Sequence, residues 1–239
     1  MPSNDDAAST AIDASFFSAL EAETSFLLIR HGQSEGNARN IMQGRLDLPL
    51  DGQGRAQARS LAPWLAGRRP DLLVASPLAR ARETAELAAP SRDGPAPLLL
   101  EPLLAELETG VFTGLTFEES ARDFPEAWQD FRARGWDGVP GAEDSGALYA
   151  RALEAWKSLR AQALRGSRVI AVFSHGGFLQ WLLKATFGGR SWMPLVPMAN
   201  CGVSELVVTP QGAGTRPLLS WVRVNQQVGG LPPSAAPLF

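Results

Sequence analysis

The sequence predicts an α/β fold, a three-layer α/β/α sandwich built on a mostly parallel central sheet. Short apolar runs alternate with segments of helical character along the 239 residues. The runs are continuously apolar, as is typical of parallel strands that are covered by helices on both faces. Residues 109–146 interrupt this alternation with aromatic residues, proline and glycine. We predict that this stretch is a helical insertion packed over one edge of the sheet.

The individual elements follow from local patterns. Apolar runs predict six strands, at 26–29, 72–75, 98–100, 168–173, 203–209 and 218–224. Helices are predicted at 54–65, 77–89 and 177–187. In the first of these helices alanine and leucine recur on one face, which is the pattern of a helix packed against a sheet.

Three regions are expected along the chain: an N-terminal arm at 1–24, a domain at 25–228 and a C-terminal tail at 229–239. Four apolar residues of the arm have the spacing of one short helix: Ile12, Phe16, Phe17 and Leu20. The arm is expected to be either a short helix lying on the domain or a frayed segment. Its role stays open between a cap over the pocket, a contact in a homodimer and no role. The tail is rich in glycine, proline and alanine.

Composition and charge exclude several classes of protein. The net charge of −3 offers no basic surface for nucleic acid or an anionic membrane. Apolar stretches such as 169–173 are far shorter than the roughly 20 residues of a membrane-spanning helix. The single cysteine, Cys201, excludes an internal disulfide and a cysteine-built zinc site. Because the acidic N-terminus also lacks the pattern of a signal peptide, we expect a cytoplasmic protein.

The two histidines of the chain, His31 and His175, each follow a predicted strand and precede a glycine. In open α/β sheets, ligands bind beyond the carboxyl ends of the strands. If the two strands are neighbours, both imidazoles face one crevice, and the glycines let an anion approach the backbone amides. A single His-Gly pair is more often a buried structural histidine.

A third strand end adds positive charge. Arg80 follows the strand 72–75 at the start of a predicted helix, whose N-terminal amides favour an anion. With Arg30, next to His31, it is suited to hold a phosphoryl group through bidentate hydrogen bonds. Taken alone, Arg80 is typical of an arginine on the solvated face of a helix. Packing does not easily explain both histidines and this arginine at successive strand ends, so we predict a phosphoryl-binding site.

These residues carry a resemblance to a known family. Arg30-His31-Gly32-Gln33-Ser34-Glu35-Gly36-Asn37 resembles the signature of the histidine phosphatase superfamily, also called the phosphoglycerate mutase-like family. Further matches follow in the family's order: Gln43-Gly44, Asp47 to Leu50, Gly54, Gln57-Ala58, Ser76 to Thr84 and Ser174 to Gly177. The resemblance covers about residues 25–210 and implies the phosphoglycerate mutase-like fold.

The resemblance implies which residues act on the phosphoryl group. His31 would be the nucleophile that forms a phosphohistidine. The phosphoryl oxygens would be held by a set of polar groups: Arg30, Asn37, Arg80, His175 and the Gly176 amide. Gln43 and Gly44 would contact the substrate. The two arginines and His175 would thus be catalytic together with His31, and no cofactor is expected for this protein.

The resemblance also implies a carboxylic acid. Residues 104–110 resemble the family's Leu-x-Glu-x-x-x-Gly pattern, and the register from Gly110 selects Glu106, with Glu108 as the competing choice. This acid would protonate the leaving alkoxide and then activate the water that cleaves the phosphohistidine. Two arginines and a histidine supply the positive charge that phosphoryl transfer needs. No cluster of histidine, aspartate and glutamate has metal-ligand spacing, so no metal is expected.

Two activities divide the family, since mutases return the phosphoryl group to a substrate and phosphatases transfer it to water. Phosphoglycerate mutases have tryptophan where this chain has Gly36, and an arginine pair in the insertion. Gly36-Asn37 followed by Gln43-Gly44 resembles the phosphatases, so we expect a metal-independent phosphatase for a small-molecule phosphate monoester. A mutase-type transferase is the alternative. Arg132 and Arg134 are expected to be solvated surface charges, with contact to an anionic substrate as the other interpretation. A non-catalytic phospho-ligand binding protein is a third interpretation, although no expected catalytic residue is missing.

Six aromatic residues mark the insertion: Phe112, Phe117, Phe124, Trp128, Phe131 and Trp136. Because aromatic residues dominate the burial of cores, we predict that they pack mainly against one another. The insertion is also expected to form part of the pocket wall. At 112–114 the sequence Phe-Thr-Gly departs from the family's Trp, Glu or Gln, Gly, which affects the choice of substrate more than catalysis.

Overall fold

Six strands form one mixed sheet in the part of the chain that the structure describes. The computed structural model describes residues 12–89, 96–212 and 214–229. The strands are β1 (Thr24–Arg30), β2 (Leu72–Ala75), β3 (Leu98–Leu100), β4 (Val169–Ser174), β5 (Gly202–Thr209) and β6 (Leu218–Gln227). Their order across the sheet is β3-β2-β4-β1-β5-β6. All six predicted strands are present, with bounds that differ by a few residues at most.

Four neighbouring strands run parallel to one another, and the two strand pairings at the other edge of the sheet are antiparallel. β1 pairs with β4, β4 with β2 and β2 with β3 in parallel. β5 pairs antiparallel with both β1 and β6. The mostly parallel sheet is therefore confirmed. In the β1–β4 pair Arg30 lies opposite Ser174, so the next residues, His31 and His175, leave the sheet at the same edge.

Helices cover both faces of the sheet. They are α1 (Glu35–Ala38), α2 (Gly52–Arg68), α3 (Ala79–Ala88), α4 (Phe117–Asp123), α5 (Pro125–Arg134), α6 (Ser145–Leu164) and α7 (Gly176–Ala185). Leu27 and Ile29 of β1 pack in one apolar cluster with α2 and α3. Phe26 and Leu28 of the same strand pack in another with α6 and α7. The predicted three-layer sandwich is confirmed. Among the described helices, none combines the length and the apolar character needed to cross a membrane.

The longest helix, α6, lies outside the predicted helices. The carboxylate of Asp144 caps it by accepting a hydrogen bond from the Ala147 amide at 2.8 Å. Its buried residues recur at helical spacing: Leu148, Tyr149, Ala152, Ala155, Trp156, Leu159 and Ala163. The pattern starts directly after the aromatic insertion, which obscures where the helix begins.

The insertion is helical, as predicted. It consists of α4 and α5 with short 3-10 helices at Gly110–Phe112 and Gly135–Gly138. The ring of Phe112 is fully buried, and its centroid lies 6.0 Å from that of Trp128 and 5.9 Å from that of Phe131. The aromatic residues therefore serve mainly for packing, as the sequence predicts, and most of them join the apolar cluster that contains α6 and α7.

The described part of the N-terminal arm belongs to the core. Residues Ala14–Phe17 form a 3-10 helix whose first amides donate to the carboxylate of Asp13. Phe17 is fully buried, and its ring meets that of Trp156 in α6 edge to face at 5.8 Å. Of the two expectations for the arm, residues 12–20 show the short helix packed on the domain. Residues 1–11 and most of the tail, 230–239, lie outside the described residues.

Candidate active site

The two histidines meet at the carboxyl edge of the parallel strands. The ring centroids of His31 and His175 are 5.1 Å apart. They follow β1 and β4, and Ser76 follows the next strand, β2, so three successive strand ends contribute to one site. The two strands are neighbours, and their ends bring the rings together, but only His31 is among the residues that line the cavity, since His175 is fully buried.

The backbone fixes the orientation of the His31 ring. Its Nδ1 lies 2.6 Å from the carbonyl oxygen of Gly32, so Nδ1–H donates and Nε2 keeps its lone pair for a ligand. Burial, and then the charges of Arg80 and Arg30, lower the pKa of His31 well below its ordinary value of 6.5. The ring is therefore neutral at pH 7, as a nucleophilic imidazole must be.

A hydroxyl group orients His175. Its Nε2 lies 2.7 Å from Oγ of Ser76, and that Oγ also accepts a hydrogen bond from the Leu78 amide at 3.3 Å. This arrangement favours a hydroxyl that donates to Nε2, which places the proton of His175 on Nδ1. Nδ1 is buried and has no hydrogen-bond partner in the structure. Burial and the charge of Arg80 lower the pKa of His175 well below 6.5.

Two buried guanidinium groups line the same cavity. Arg30 donates to the carbonyl of Met198, and Arg80 donates to the carbonyls of Leu46 and Gly44 at 2.6 and 2.8 Å. Burial lowers the pKa of each guanidinium to about 10, an effect that the carboxylate of Glu106 opposes. Both arginines are therefore charged at pH 7. Each also has a buried Nε without a hydrogen-bond partner.

The helix terminus next to Arg80 is already occupied. The sequence predicts that the first amides of α3 favour an anion of the ligand. Instead, the carboxylate of Asp47 accepts a hydrogen bond from the Ala79 amide at 2.5 Å. The contribution of this segment to a ligand therefore comes from the Arg80 side chain, while Asp47 satisfies the helix.

Glu106 lines the cavity, and Glu108 does not. The Oε2 atom of Glu106 accepts a hydrogen bond from the Gly177 amide at 3.1 Å, and Oε1 accepts one from the Phe178 amide at 2.9 Å. The first turn of α7, which follows His175, thus holds this carboxylate. Glu108 is half-exposed and forms an ion pair with Arg45 at 3.2 Å. Of the two candidate acids, Glu106 is the one beside the histidines.

Gly176 and Asn37 are the remaining members of the predicted phosphoryl-binding set, and of the two only Asn37 lines the cavity. Gly176 is buried at the start of α7, where a Cβ would lie 3.2 Å from Nε of Arg30, so glycine gives the guanidinium its space. Asn37 lines the cavity, and its Oδ1 accepts from the amide and hydroxyl of Ser34 at 3.2 and 3.0 Å. Because its oxygen is engaged, the NH₂ group of Asn37 is the part left to contact a ligand.

Gln43 and Gly44 also line the cavity, and Gln43 explains why residue 36 is glycine. A Cβ on Gly36 would lie 2.3 Å from Cδ of Gln43. The Gln43 side chain thus fills the space that a larger residue at 36 would need, and its Oε1 accepts from the Ser34 hydroxyl at 2.9 Å. Gly36, the residue at which this chain differs from the mutases, is therefore in close contact with Gln43, which lines the cavity.

Sequence reasoning missed residues that hold these groups in place. Ser76 orients His175, as described above. Buried Asn200 donates from Nδ2 to the His31 carbonyl at 3.0 Å and to Oδ1 of Asn37 at 3.3 Å. Arg151 of α6 donates to the carbonyls of Leu103 and Ala105 at 2.9 and 2.7 Å, just before Glu106. A polar residue next to a strand is the signal for Ser76 and Asn200, whereas nothing in the local sequence distinguishes Arg151.

The cavity between these groups has a volume of about 230 Å³. Besides the site residues above, seven residues line it: Asn40, Ile41, Met42, Leu107, Thr109, Phe117 and Trp136. The insertion therefore contributes to the wall through Phe117 and Trp136, as predicted. Within the described ranges, no group of three or more histidine, cysteine, aspartate or glutamate side chains is placed to hold a metal ion.

The sheet edge and its residues define a class of protein, an α/β sandwich in which two histidines meet between buried arginines beyond parallel strands. The sequence profile of the histidine phosphatase superfamily (branch 1) matches residues 26–218. The chain belongs to this superfamily, as the sequence motifs predict.

The chain is similar both to proteins named as phosphatases and to proteins named as phosphoglycerate mutases. A probable 2-carboxy-D-arabinitol-1-phosphatase from Arabidopsis thaliana is 30% identical over 87% of this chain and 42% of its own length. A probable phosphoglycerate mutase GpmB from Photorhabdus laumondii is 35% identical over 75% of this chain and 82% of its own. A solved structure of a mycobacterial glucosyl-3-phosphoglycerate phosphatase has a TM-score of 0.69 at 26% identity, covering 84% of this chain and 99% of that one. The chain spans about two fifths of the plant phosphatases that it matches.

Proposed function

We propose that this protein is a metal-independent phosphatase that hydrolyses a small-molecule phosphate monoester through a phosphohistidine on His31. The observation that carries the proposal is the pairing of His31 with His175 at 5.1 Å beside the buried side chains of Arg30 and Arg80. Phosphoryl transfer is catalysed mainly by positioning and by positive charge around the equatorial oxygens. Two charged arginines and a neutral imidazole nucleophile meet both needs.

In the first step, the lone pair on Nε2 of His31 attacks phosphorus, and the bond from phosphorus to the ester oxygen breaks. Glu106 gives its proton to that leaving oxygen, so the alcohol departs neutral. The Gly32 carbonyl accepts a hydrogen bond from Nδ1 and thereby stabilises the positive charge that develops on the ring. Arg30, Arg80, Asn37 and Nδ1–H of His175 hold the phosphoryl oxygens, together with the amide of Gly176.

In the second step, water attacks the phosphohistidine. Glu106, now a carboxylate, takes a proton from that water while the bond from Nε2 to phosphorus breaks. Inorganic phosphate leaves, His31 is again neutral, and Glu106 is again protonated. The pair of steps consumes one ester and one water and returns every protein group to its starting form.

Gln43 and Gly36 support a phosphatase over a mutase. The Gln43 side chain occupies the space next to Gly36, so a tryptophan at that position would displace it. The similarity to GpmB, whose name is that of a mutase, supports the alternative of phosphoryl return to a second substrate. The names of several relatives are those of phosphatases, which agrees with transfer to water.

We infer that the reaction takes place in the cytoplasm. Cys201, the single cysteine of the chain, is buried and free, and burial raises the pKa of its thiol to about 12. A thiol of this kind is inert. A chain that uses no disulfide is typical of a reducing compartment.

The test is hydrolysis of p-nitrophenyl phosphate between about pH 5 and 7 in excess chelator, with wild type and His31→Ala compared. We expect wild-type activity that the chelator leaves unchanged and the variant abolishes. Circular dichroism shows whether the variant keeps its fold, and labelled substrate shows whether wild type carries an acid-labile phosphoryl group. Activity in His31→Ala close to wild type contradicts the proposal. Phosphoglycerate mutase activity primed by bisphosphoglycerate, faster than phosphate release, establishes the alternative.

A further inference from the structure

The cavity of the proposed active site has two parts of different character. Its floor is formed by the charged and polar groups around His31, and its wall by seven residues further out: Asn40, Ile41, Met42, Leu107, Thr109, Phe117 and Trp136. None of these wall residues carries a charge. We propose that the substrate's leaving group is uncharged and largely apolar, an aryl or alkyl group rather than one that bears a carboxylate. The inference rests on the proposed phosphatase function.

The apolar wall is a rigid part of the fold. Met42 donates from its amide to the carbonyl of Leu115 at 2.8 Å, and its own carbonyl accepts from the Gly114 amide at 2.8 Å. The segment that carries Ile41 and Met42 is thereby tied to the insertion. Phe117 stacks on Phe131 with 6.1 Å between ring centroids. These contacts fix the positions of Ile41, Met42 and Phe117 around the cavity.

Two nearby arginines are bound by other protein groups and do not line the cavity, although Nε of Arg45 donates to the carbonyl of Glu106 at 3.1 Å. Arg45 forms ion pairs with Glu108 at 3.2 Å and with Glu143 at 3.3 Å. Arg39 donates to the carbonyl of Glu35 at 3.2 Å. Among the described residues that line the cavity, the charged side chains are those of the floor, two arginines and Glu106. The arginines are needed for the phosphoryl oxygens, and Glu106, which donates its proton to the leaving oxygen in the first step, supplies no positive charge to a second carboxylate.

The arginines of the insertion do not provide a positive charge at the wall either. Arg132 and Arg134 line a different cavity, together with Met193 and Leu195. Arg134 also forms an ion pair with Asp130 at 3.0 Å. Neither of these two arginines is among the residues that line the cavity of the proposed active site. A carboxylate on the leaving group would lose water without gaining a partner, which is strongly unfavourable.

The experiment compares phenyl phosphate with 4-carboxyphenyl phosphate, two esters that differ by one charge at the far end of the leaving group. We expect kcat/KM of the wild type to be at least about tenfold higher for phenyl phosphate, because an unpaired charge is costly to bury. The carboxylated phenol is the better leaving group, so chemistry alone predicts the opposite order. Equal or faster turnover of the carboxylated ester overturns the inference, as does 3-phosphoglycerate turnover faster than that of phenyl phosphate.

A matched pair of variants at the wall tests the cause. Ile41 is half-buried, so a longer side chain can reach the cavity rim. Ile41→Arg is expected to raise the ratio of kcat/KM for the carboxylated over the plain ester by about tenfold, while neutral Ile41→Gln leaves that ratio unchanged. A ratio that shifts equally in both variants contradicts the inference. A general loss of activity lowers kcat/KM for both esters equally, so it does not change the ratio between them.

The inference and the proposed function fail in different ways. If neither ester is turned over and no phosphoenzyme forms, the phosphatase proposal fails. The same two esters are then compared by isothermal titration calorimetry with the wild-type protein. Equal or tighter binding of the carboxylated ester overturns the inference, and weaker binding by about tenfold supports it without reference to turnover.

Discussion

The carboxylate of Glu106 accepts a hydrogen bond from the backbone amide of Phe178, with 2.9 Å between Oε1 and nitrogen. The adjacent Gly177 amide donates to the other carboxylate oxygen. The helix that begins directly after His175 thus positions the proposed acid, and one rigid element sets the distance between two functional groups. This relationship makes the site sensitive to small changes in the first turn of α7.

Gly177→Ala is expected to displace Glu106 while the protein stays folded. A Cβ at this position would lie 2.6 Å from Oε1 of Glu106 and 2.4 Å from Cδ2 of Leu107. Both atoms are ends of side chains, so they can move aside, and the acid then leaves its place. Because a misplaced catalytic group costs about 100-fold, we expect such a loss in kcat/KM for phenyl phosphate. The loss for p-nitrophenyl phosphate should be smaller, since its leaving group needs no proton.

The matched control is Gly67→Ala in α2, where a new Cβ meets no atom within 4 Å. This variant should keep full activity and gain up to about 1 kcal/mol in free energy of unfolding, since alanine favours helix. Steady-state kinetics with both esters and urea unfolding of both variants measure the two effects. Equal losses of activity on the two esters in Gly177→Ala would mean that Glu106 is not the displaced group that matters.

Arg151 is expected to position the segment that carries Glu106. Its Nη1 donates to the carbonyls of Leu103 and Ala105, and its Nε and Nη2 donate to the carboxylate of Glu143 at 2.7 and 2.8 Å. Arg151→Met keeps most of the volume and removes these bonds. We predict a fall in kcat/KM of about tenfold for phenyl phosphate, with a smaller fall for p-nitrophenyl phosphate.

Arg160→Met in the same helix controls for the loss of an arginine. Its guanidinium lies over the ring of Phe16, at 5.1 Å, rather than on the 103–106 segment. Kinetics should therefore stay at the wild-type level in this variant. If Arg151→Met and Arg160→Met lower activity on both esters alike, Arg151 contributes to stability only.

The fold is largely predictable because its strands are continuous apolar runs. A buried parallel strand such as β4 has no polar face, so its pattern cannot be mistaken for that of a surface element. α6 escapes prediction for a related reason. Its apolar face is built partly of alanine, and it follows an insertion whose aromatic residues blur its start. The order of the strands across the sheet depends on helix packing and is not contained in any single segment.

The site is predictable where it depends on strand ends and obscure where it depends on distant contacts. His31 and His175 come just after predicted strands, and Arg80 lies in the first turn of the helix that follows a third strand, so the sheet edge brings them together. Asn200 reaches Asn37 across 163 residues, and the loop that carries it has no regular pattern. The register from Gly110 selects Glu106 over Glu108, but the amides of α7 that hold its carboxylate lie about 70 residues further along the chain.

The free energy of unfolding is expected to decrease as the pH is lowered below about 6.5, because of the two buried histidines. The pKa of His31 and that of His175 lie well below 6.5 in the folded state, because burial disfavours the charged ring. Below about pH 6.5 the unfolded chain binds protons that the folded chain does not, so the free energy of unfolding decreases. The decrease continues until the folded pKa values are reached. Above pH 6.5 these two groups contribute no pH dependence.

Urea unfolding between about pH 5 and 7 measures this effect in wild type and in His31→Asn. The chain has two histidines, so the variant removes half of the histidine contribution. The slope of free energy against pH should then decrease by up to about 1.4 kcal/mol per pH unit. The carboxylates are the same in both proteins and cancel in the comparison. Parallel curves would show that His31 keeps an ordinary pKa in the folded protein.

Phe17→Ala tests whether the N-terminal arm is part of the core. Phe17 is fully buried and lies 5.8 Å, between ring centroids, from both Phe26 of β1 and Trp156 of α6. Truncation of such a side chain leaves a cavity, so we expect a loss of about 3–5 kcal/mol in the free energy of unfolding. Phe187→Ala is the control, since that ring is 70% exposed and its loss should change stability by less than about 0.5 kcal/mol. Equal unfolding midpoints for the two variants in urea would mean that the arm does not pack on the domain in solution.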